Sequence, residues 1–227
     1  MSIAESWSAV RARVAAACEH AGRDPASVTI VAVSKMHPAA AVREAAAAGA
    51  TDFGENYAQE LAAKRAEVGG EGIRWHFIGR LQRNKAKLIA GQVALVHAVD
   101  SVELATELGK RAAPTVQPIL LAVNVAGEET KGGVTPAAAE GLARAIAQVA
   151  GVRLDGLMTM PPPDVDPVPH FRALAELRAR LADALGAPLP VLSMGMSGDY
   201  EAAIACGSTH VRIGTAIFGA RQTADVA

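Results

Sequence analysis

The sequence lacks most features that mark specialised classes of protein. Only two of its 227 residues are cysteines, Cys18 and Cys206, and without CxxC spacing or a neighbouring histidine cluster we interpret them as reduced and structural. The chain begins without a signal-like pattern, and no apolar run is long enough to cross a bilayer. The net charge of -1 gives no general attraction for nucleic acid or lipid, and we interpret the basic residues between Arg80 and Lys87 as a solvated helix face. These absences predict a cytoplasmic protein that binds neither nucleic acid nor membranes.

The chain instead has a high apolar content and a regular alternation of strand-like and helix-like segments. Its 51% hydrophobic residues are sufficient for a large core. An amphipathic helix is predicted over residues 1–21, where Ser2 and Glu5 have the form of a capping box. Apolar runs then predict eight strands, over residues 28–35, 51–56, 74–79, 94–100, 117–125, 154–160, 190–196 and 210–218.

Segments rich in Ala, Leu, Glu and Arg follow these strands and predict helices, among them residues 81–90 and 198–206. Eight β-then-α units in this length predict an α/β fold, a single (β/α)₈ TIM barrel over residues 28–219 with the first helix added before it. A doubly wound open sheet is the alternative, because a sequence does not show whether a sheet closes. No linker divides the chain, so residues 1–227 are predicted to form one domain.

The first predicted strand ends in Lys35 after an unbroken run of apolar or β-branched residues. Such a run is typical of a strand buried on both faces, and the carboxyl end of such a strand is where α/β barrels place their chemistry. A lysine ε-amine that has lost its proton can attack a carbonyl, and partial burial favours that loss. Lys35 is therefore a candidate for forming a Schiff base. The alternative is a lysine that merely reaches solvent at the end of a strand.

Two loops near the end of the chain are candidates for binding phosphate. Ser197 and Gly198 follow the seventh predicted strand and precede a predicted helix, while Gly214 and Thr215 come soon after Arg212. The loops after strands seven and eight are the usual phosphate-binding place in α/β barrels. A serine before a helix can also be a simple N-cap. Together with Lys35, the loops predict a phosphorylated aldehyde as ligand, and a Schiff-base aldolase acting on a phosphorylated sugar shares these features.

Several segments carry a more specific resemblance, in the order in which they occur: residues 33–35, 53–57, 75–85, 156–160, 192–197 and 211–215. They resemble the YggS/PROSC family of pyridoxal phosphate homeostasis proteins. The resemblance implies a (β/α)₈ barrel of the alanine racemase N-terminal domain type, the fold type III of pyridoxal 5′-phosphate (PLP) proteins. It also implies PLP held as an internal aldimine, a role in intracellular PLP (vitamin B6) homeostasis and no established catalytic reaction.

The resemblance implies a PLP-binding role for seven residues of this chain. Lys35 would form the aldimine and Arg212 would face the pyridine nitrogen. A guanidinium has only donors and stays protonated, so it would favour the unprotonated ring, which is a poorer electron sink. The remaining assignments are phosphate binding by Ser197, Gly214 and Thr215, and lining of the ring by Asn56 and His76.

The resemblance leaves an enzyme as the alternative to a carrier. Alanine racemase moves protons with its lysine and a tyrosine from a second domain of the partner subunit, whereas the two tyrosines here, Tyr57 and Tyr200, both fall in the first turn of a predicted helix. We therefore expect a monomeric protein that is not an enzyme and that passes PLP to PLP-dependent apoenzymes. The alternative is a low-activity PLP-dependent amino-acid racemase or another fold-III enzyme.

Overall fold

Eight parallel strands, each paired with the next along the chain, form a closed barrel in the computed structural model. The structure describes residues 1–69, 72–128 and 132–220. The closed sheet confirms the predicted barrel and excludes the open-sheet alternative. The strands are β1 (Thr29–Val33), β2 (Asp52–Glu55), β3 (Arg74–Phe77), β4 (Leu95–Val99), β5 (Gln117–Ala122), β6 (Val152–Met158), β7 (Val191–Ser193) and β8 (His210–Ile213).

The helices cover the outside of the barrel, and the first of them precedes β1. Its capping box is present, since Glu5 N–H donates to Ser2 Oγ and Ser2 N–H donates to Glu5 Oε2. The buried face of this helix packs against α2, α7 and α8. The helices are α1 (Ile3–His20), α2 (Ala39–Ala47), α3 (Ala58–Val68), α4 (Val102–Ala112), α5 (Pro136–Ala147), α6 (Val168–Leu185), α7 (Tyr200–Ala205) and α8 (Thr215–Phe218).

The barrel closes between its first and last strands. Thr29 pairs with His210 and Ala32 pairs with Ile213, in parallel register. Because all eight strands run in the same direction, their carboxyl ends meet at one mouth. Closure therefore places the segment after β1 beside the segment after β8, although some 180 residues separate them in the sequence.

One predicted helix and one predicted strand illustrate how the structure differs from the predicted elements. The helix predicted over residues 81–90 is a short 3₁₀ segment, Arg83–Leu88, which has no side-chain hydrogen bond at its N-cap and no acidic residue in its first turn. The last predicted strand ends at Ile213 rather than at Phe218, because Gly214 is in the αR region and begins the helical turn of α8. Short apolar runs such as Ala216–Phe218 suit a strand and a buried helix equally well, and periodicity does not separate the two.

The interior of the barrel contains a stack of three histidines, where barrels of this type usually contain branched aliphatic side chains. The ring centroids of His76, His97 and His210 lie 5.2 to 6.2 Å apart. His76 is hydrogen-bonded to Asp52 and to His97, and His97 is also bonded to Ser193, at 2.8 to 2.9 Å. These bonds satisfy polar groups that burial has removed from water.

Burial also sets the charge state of this stack. It lowers the pKa of His97 well below its ordinary value, and the neighbouring groups His76, His210 and Arg212 act in the same direction. Burial lowers the pKa of His210 to about 4, against the opposing effect of the Asp52 carboxylate. Both imidazoles are therefore neutral near pH 7.

We expect the free energy of unfolding to decrease as the pH falls from about 6.5 to about 4. His210 takes up a proton near pH 6.5 in the unfolded chain but only near pH 4 in the folded one. Its neutral form therefore contributes stability that is fully present above pH 6.5 and is lost below it, by up to about 3 kcal/mol, and His97 acts in the same direction.

Urea denaturation at successive pH values measures this effect. His210→Phe should reduce the pH dependence between pH 6.5 and 4.5, whereas His20→Gln, on the surface end of α1, should leave it unchanged. Equal pH dependence in the wild type and in His210→Phe would contradict the assignment.

Candidate functional site

A cavity of about 430 Å³ lies at the carboxyl ends of the strands. This volume is within the range of small-molecule sites. The cavity brings together six of the seven residues predicted from the sequence. They come from the ends of β1, β2, β7 and β8, and they are Lys35, Asn56, Ser197, Arg212, Gly214 and Thr215.

The seventh predicted residue, His76, does not line this cavity, so its placement beside the ring is corrected. Its side chain points into the barrel and is 3% exposed. Its Nε2 lies 2.9 Å from Asp52 Oδ1, at the first residue of β2, and its Nδ1 lies 2.9 Å from His97 Nε2. These bonds hold the ring at a deeper layer of the barrel than the mouth. A position near a strand end does not by itself specify the layer that a long side chain reaches.

Lys35 lies in a tight turn directly after β1. The turn is closed by a hydrogen bond from His37 N–H to Ser34 O at 3.1 Å. Met36, which follows Lys35, has a φ of 62°, in the left-handed region that non-glycine residues rarely adopt. The strained turn is held from outside, since Met36 N–H donates to Glu60 Oε1 at 2.5 Å.

A buried ion cluster behind the turn holds the peptide group on the other side of Lys35. The Lys64 ammonium donates to Ser34 O, Glu55 Oε1 and Glu60 Oε1 at 2.6 to 2.7 Å, so all three of its protons are used. Lys64 and Glu60 thus fix the two peptide groups that flank Lys35. The sequence alone does not reveal this role, because Lys64 belongs to α3 and only the fold brings it to β1.

Glu55 is the most buried member of this cluster, with 0% exposure. Burial raises the pKa of its carboxyl above the ordinary value, although hydrogen bonds from Lys64 and Ser34 oppose the effect. Its Oε2 atom has no hydrogen-bond partner among the residues that the structure describes. The Lys64 cation therefore offsets most of the desolvation cost of burying the Glu55 carboxylate.

Arg212 enters the cavity from β8 and is 6% exposed. Its Nη1 donates to Ser193 Oγ at 2.6 Å and its Nη2 donates to Thr159 O at 3.0 Å. Burial lowers the pKa of the guanidinium to about 10, which Asp199 opposes. Arg212 therefore remains a cation near pH 7 and keeps further N–H donors for a ligand in the cavity.

The two predicted phosphate loops lie on the same side of the mouth. Asp199, and not Ser197, immediately precedes the helical residues of α7, and its Oδ1 accepts from Met196 N–H at 2.5 Å. The predicted start of this helix at Gly198 is therefore two residues too early. After β8, Ile217 N–H and Phe218 N–H donate to Gly214 O at 2.8 and 2.9 Å, so only the N–H groups of Thr215 and Ala216 precede the first bond of α8, beside the Thr215 hydroxyl.

The cavity wall also contains residues that the sequence analysis did not assign to the site. Gly79 allows the ends of β2 and β3 to approach closely, since a Cβ there would lie 2.1 Å from Asn56 O. Arg80 and Asp100 follow β3 and β4 and add a charge of each sign to the lining. Both stand at the carboxyl ends of predicted strands, which is the signal that could have found them.

Three features are not found in the part of the chain that the structure describes. No group of three or more His, Cys, Asp or Glu side chains is arranged to hold a metal ion there. Neither tyrosine lines the cavity, because Tyr200 is buried against α1 and Tyr57 is exposed on the surface beside β2. None of the described helices is long and apolar enough to cross a membrane.

We expect Lys64→Met to destabilise the protein by roughly 3 kcal/mol, because it leaves the Glu55 carboxyl buried without its cation. The double variant Lys64→Met/Glu55→Leu should recover a large part of this loss, and Lys110→Met on the exposed face of α4 should cost almost nothing. Urea denaturation at pH 7 measures all three. A loss below about 1 kcal/mol for the single variant would contradict the role of this pair.

Comparison with known proteins agrees with this geometry. Residues 6–222 match the family described as the alanine racemase N-terminal domain. The chain is 49% identical over 223 residues to the pyridoxal phosphate homeostasis protein of Pseudomonas aeruginosa, which covers 97% of this chain and 96% of that protein. It is 42% identical over 228 residues to the protein of the same name from Escherichia coli K12, with 97% of each chain covered.

A solved structure shows the same fold. The PipY protein of Synechococcus elongatus, with PLP bound, superimposes with a TM-score of 0.84 at 36% identity, over 96% of this chain and 100% of that chain. These matches confirm the resemblance that the motifs indicated. The chain belongs to the alanine racemase N-terminal domain family and, within it, to the pyridoxal phosphate homeostasis proteins.

Proposed function

We propose that this protein binds PLP through a Schiff base with Lys35 and that it stores and delivers the cofactor without catalysing a reaction on it. One observation carries the proposal: the cavity at the barrel mouth collects a half-buried lysine amine, two hydroxyls and a buried guanidinium on its walls. The PLP-bound structure of the related PipY supports it.

The donors in the cavity fit the parts of PLP. The aldehyde would condense with the Lys35 amine and release water. The Ser197 and Thr215 hydroxyls and the backbone around Gly214 would bind the phosphate. Arg212 would then face the pyridine nitrogen as a donor, and Asn56 would lie along the ring.

Two features favour a carrier over an enzyme. A guanidinium at the pyridine nitrogen keeps the ring unprotonated, which weakens it as an electron sink. No tyrosine among the described residues lines the cavity to serve as a second proton-transfer group opposite Lys35. When bound, PLP supplies an electrophilic aldehyde carbon that any primary amine can attack. A cofactor held in this way can be handed on.

The rim of the cavity is accessible to such a recipient. Met160, which lines the cavity, is about half exposed, at 49%. We propose PLP-dependent apoenzymes as recipients. We also propose a monomer as the acting form, because every residue that the proposal uses lies on one chain.

The first test is the visible absorption of the purified protein incubated with PLP. We expect a yellow band that borohydride abolishes, and we expect Lys35→Ala to lack it because no amine remains to condense. Lys110→Ala, on α4 away from the cavity, is the matched control and should keep the band.

A wild-type protein that stays colourless with PLP would overturn the proposal and would favour the phosphorylated-sugar aldolase. An equal, reducible band in Lys35→Ala would place the Schiff base on another lysine.

The second test separates carrier from enzyme. With PLP loaded, exchange of the Cα proton of amino acids in D₂O should be no faster than with the same concentration of free PLP, because the ring is a poor electron sink and no tyrosine of the described residues lines the cavity. Proton NMR of several amino acids measures the exchange, with heat-denatured protein as control. Exchange well above the free-cofactor rate would show a low-activity racemase or another fold-III enzyme.

A further inference from the structure

A continuous series of hydrogen bonds runs through the barrel from Arg212 to the opposite end. Arg212 Nη1 contacts Ser193 Oγ at 2.6 Å, and Ser193 Oγ contacts His97 Nδ1 at 2.8 Å. His97 Nε2 contacts His76 Nδ1 at 2.9 Å, and His76 Nε2 contacts Asp52 Oδ1 at 2.9 Å. The series joins residues on five strands, β8, β7, β4, β3 and β2, and its bond between Ser193 and His97 crosses the interior of the barrel, because β7 and β4 are not paired.

The donors and acceptors along the series allow one arrangement that uses every group. Arg212 can only donate, so Ser193 accepts from it and directs its own proton to His97 Nδ1. A neutral His97 then carries its proton on Nε2 and donates to His76 Nδ1. His76 in turn donates from Nε2 to the Asp52 carboxylate. All the protons therefore point from the cavity toward Asp52.

The charges at the two ends agree with this direction. Burial raises the pKa of Asp52, but hydrogen bonds from His76 and Arg74 outweigh it and keep the carboxyl ionised as the final acceptor. Arg74, whose side chain is 62% exposed, donates to the other oxygen of Asp52 at 2.7 Å and anchors that end at the surface. Burial keeps His97 neutral. If His97 were protonated, both of its ring nitrogens would carry a proton, so Ser193 Oγ would face a second donor and lose the acceptor of its own proton.

We propose that Ser193, His97, His76 and Asp52 form a positioning relay that holds the Arg212 guanidinium toward the cofactor cavity. The inference rests on the proposed PLP site, in which Arg212 faces the pyridine nitrogen. None of the four relay residues touches the ligand in this proposal. Their role is to keep Ser193 Oγ an acceptor, which fixes the rotamer of a buried guanidinium. Among the residues that the structure describes, this guanidinium would otherwise have only Thr159 O as a hydrogen-bond partner.

The structure supplies matched controls for two of the four positions. Ser208 is as buried as Ser193, but its hydroxyl bonds only to backbone carbonyls, the shortest to Met194 O at 2.7 Å. His210 stacks on the same histidines, yet its Nδ1 contacts Thr209 Oγ1 and lies outside the relay. Ser208→Ala and His210→Phe therefore disturb the same core without breaking the series.

The first experiment uses the wild-type protein without ligand, so it is independent of PLP. Nitrogen-15 NMR of the histidine side chains should show His97 as a neutral Nε2–H tautomer at pH 7 and Nδ1 of His76 as the acceptor of that proton. A cationic His97, or an Nδ1–H tautomer at either residue, would overturn the relay whether or not the protein binds PLP.

The second experiment measures PLP affinity and the absorption spectrum of the bound cofactor in the variants. Ser193→Ala and His97→Phe should each weaken PLP binding roughly tenfold and shift the band. The first variant removes the hydroxyl that accepts from the guanidinium, and the second removes the acceptor that orients this hydroxyl. Ser208→Ala and His210→Phe should change affinity less than about twofold. His97→Gln, which keeps one acceptor and one donor, should restore part of the loss.

The outcomes distinguish the two proposals. A wild type that shows the expected tautomers but binds no PLP would overturn the proposed function and leave the hydrogen-bond series intact. A wild type that binds PLP, with equal effects from His97→Phe and His210→Phe, would overturn the relay and leave PLP binding intact. If His97→Phe does not fold, the comparison of Ser193→Ala with Ser208→Ala tests the relay instead, and equal PLP affinities of these two variants would overturn it.

Discussion

Closure of the parallel sheet between β1 and β8 is the constraint on which the rest of this structure depends. The pairing of Val31 with Arg212 puts the strand of the candidate Schiff-base lysine directly beside the strand of the candidate ring-binding arginine. The same closure brings the turn after β1 next to the loop that contains Gly214 and Thr215. In an open sheet of the same strands these groups would lie at opposite edges. The cavity forms because β8 pairs with β1.

A second constraint is the satisfaction of polar groups inside the closed barrel. Buried charges such as those of Arg212, Glu55 and Asp52 require partners, because an unpaired charge in this environment costs several kcal/mol. Arg212 bonds to Ser193 and Thr159. Glu55 accepts from Lys64, and Asp52 is bonded to His76 and Arg74. Two polar networks result, one outside β1 that supports the Lys35 turn and one inside the barrel that ends at Arg212. One network fixes the Lys35 turn and the other fixes Arg212, and both act through residues that lie away from the mouth.

The sequence predicted the parts of the site that depend on strand ends. A buried strand ending in lysine and two small-residue loops after the last strands were sufficient to select Lys35, Ser197, Arg212, Gly214 and Thr215, once the family resemblance assigned their roles. It misplaced His76, which occupies a deeper layer, and it missed Lys64, whose ammonium reaches the turn from α3. Both errors have one cause. Strand periodicity gives the face and the end of a strand but not how far a long side chain extends or what it meets.

The sequence by itself determined the number and order of the β-then-α units, because the apolar runs and the helical composition are local properties of the chain. It also determined which chemically active side chains follow each strand. Only the tertiary structure decided that β8 stops at Ile213, that the histidines of β3, β4 and β8 stack in the core, and that one series of hydrogen bonds joins Asp52 to Arg212. These features depend on which strands pair and which face each other across the closed barrel, and that arrangement arises from contacts between residues far apart in the chain.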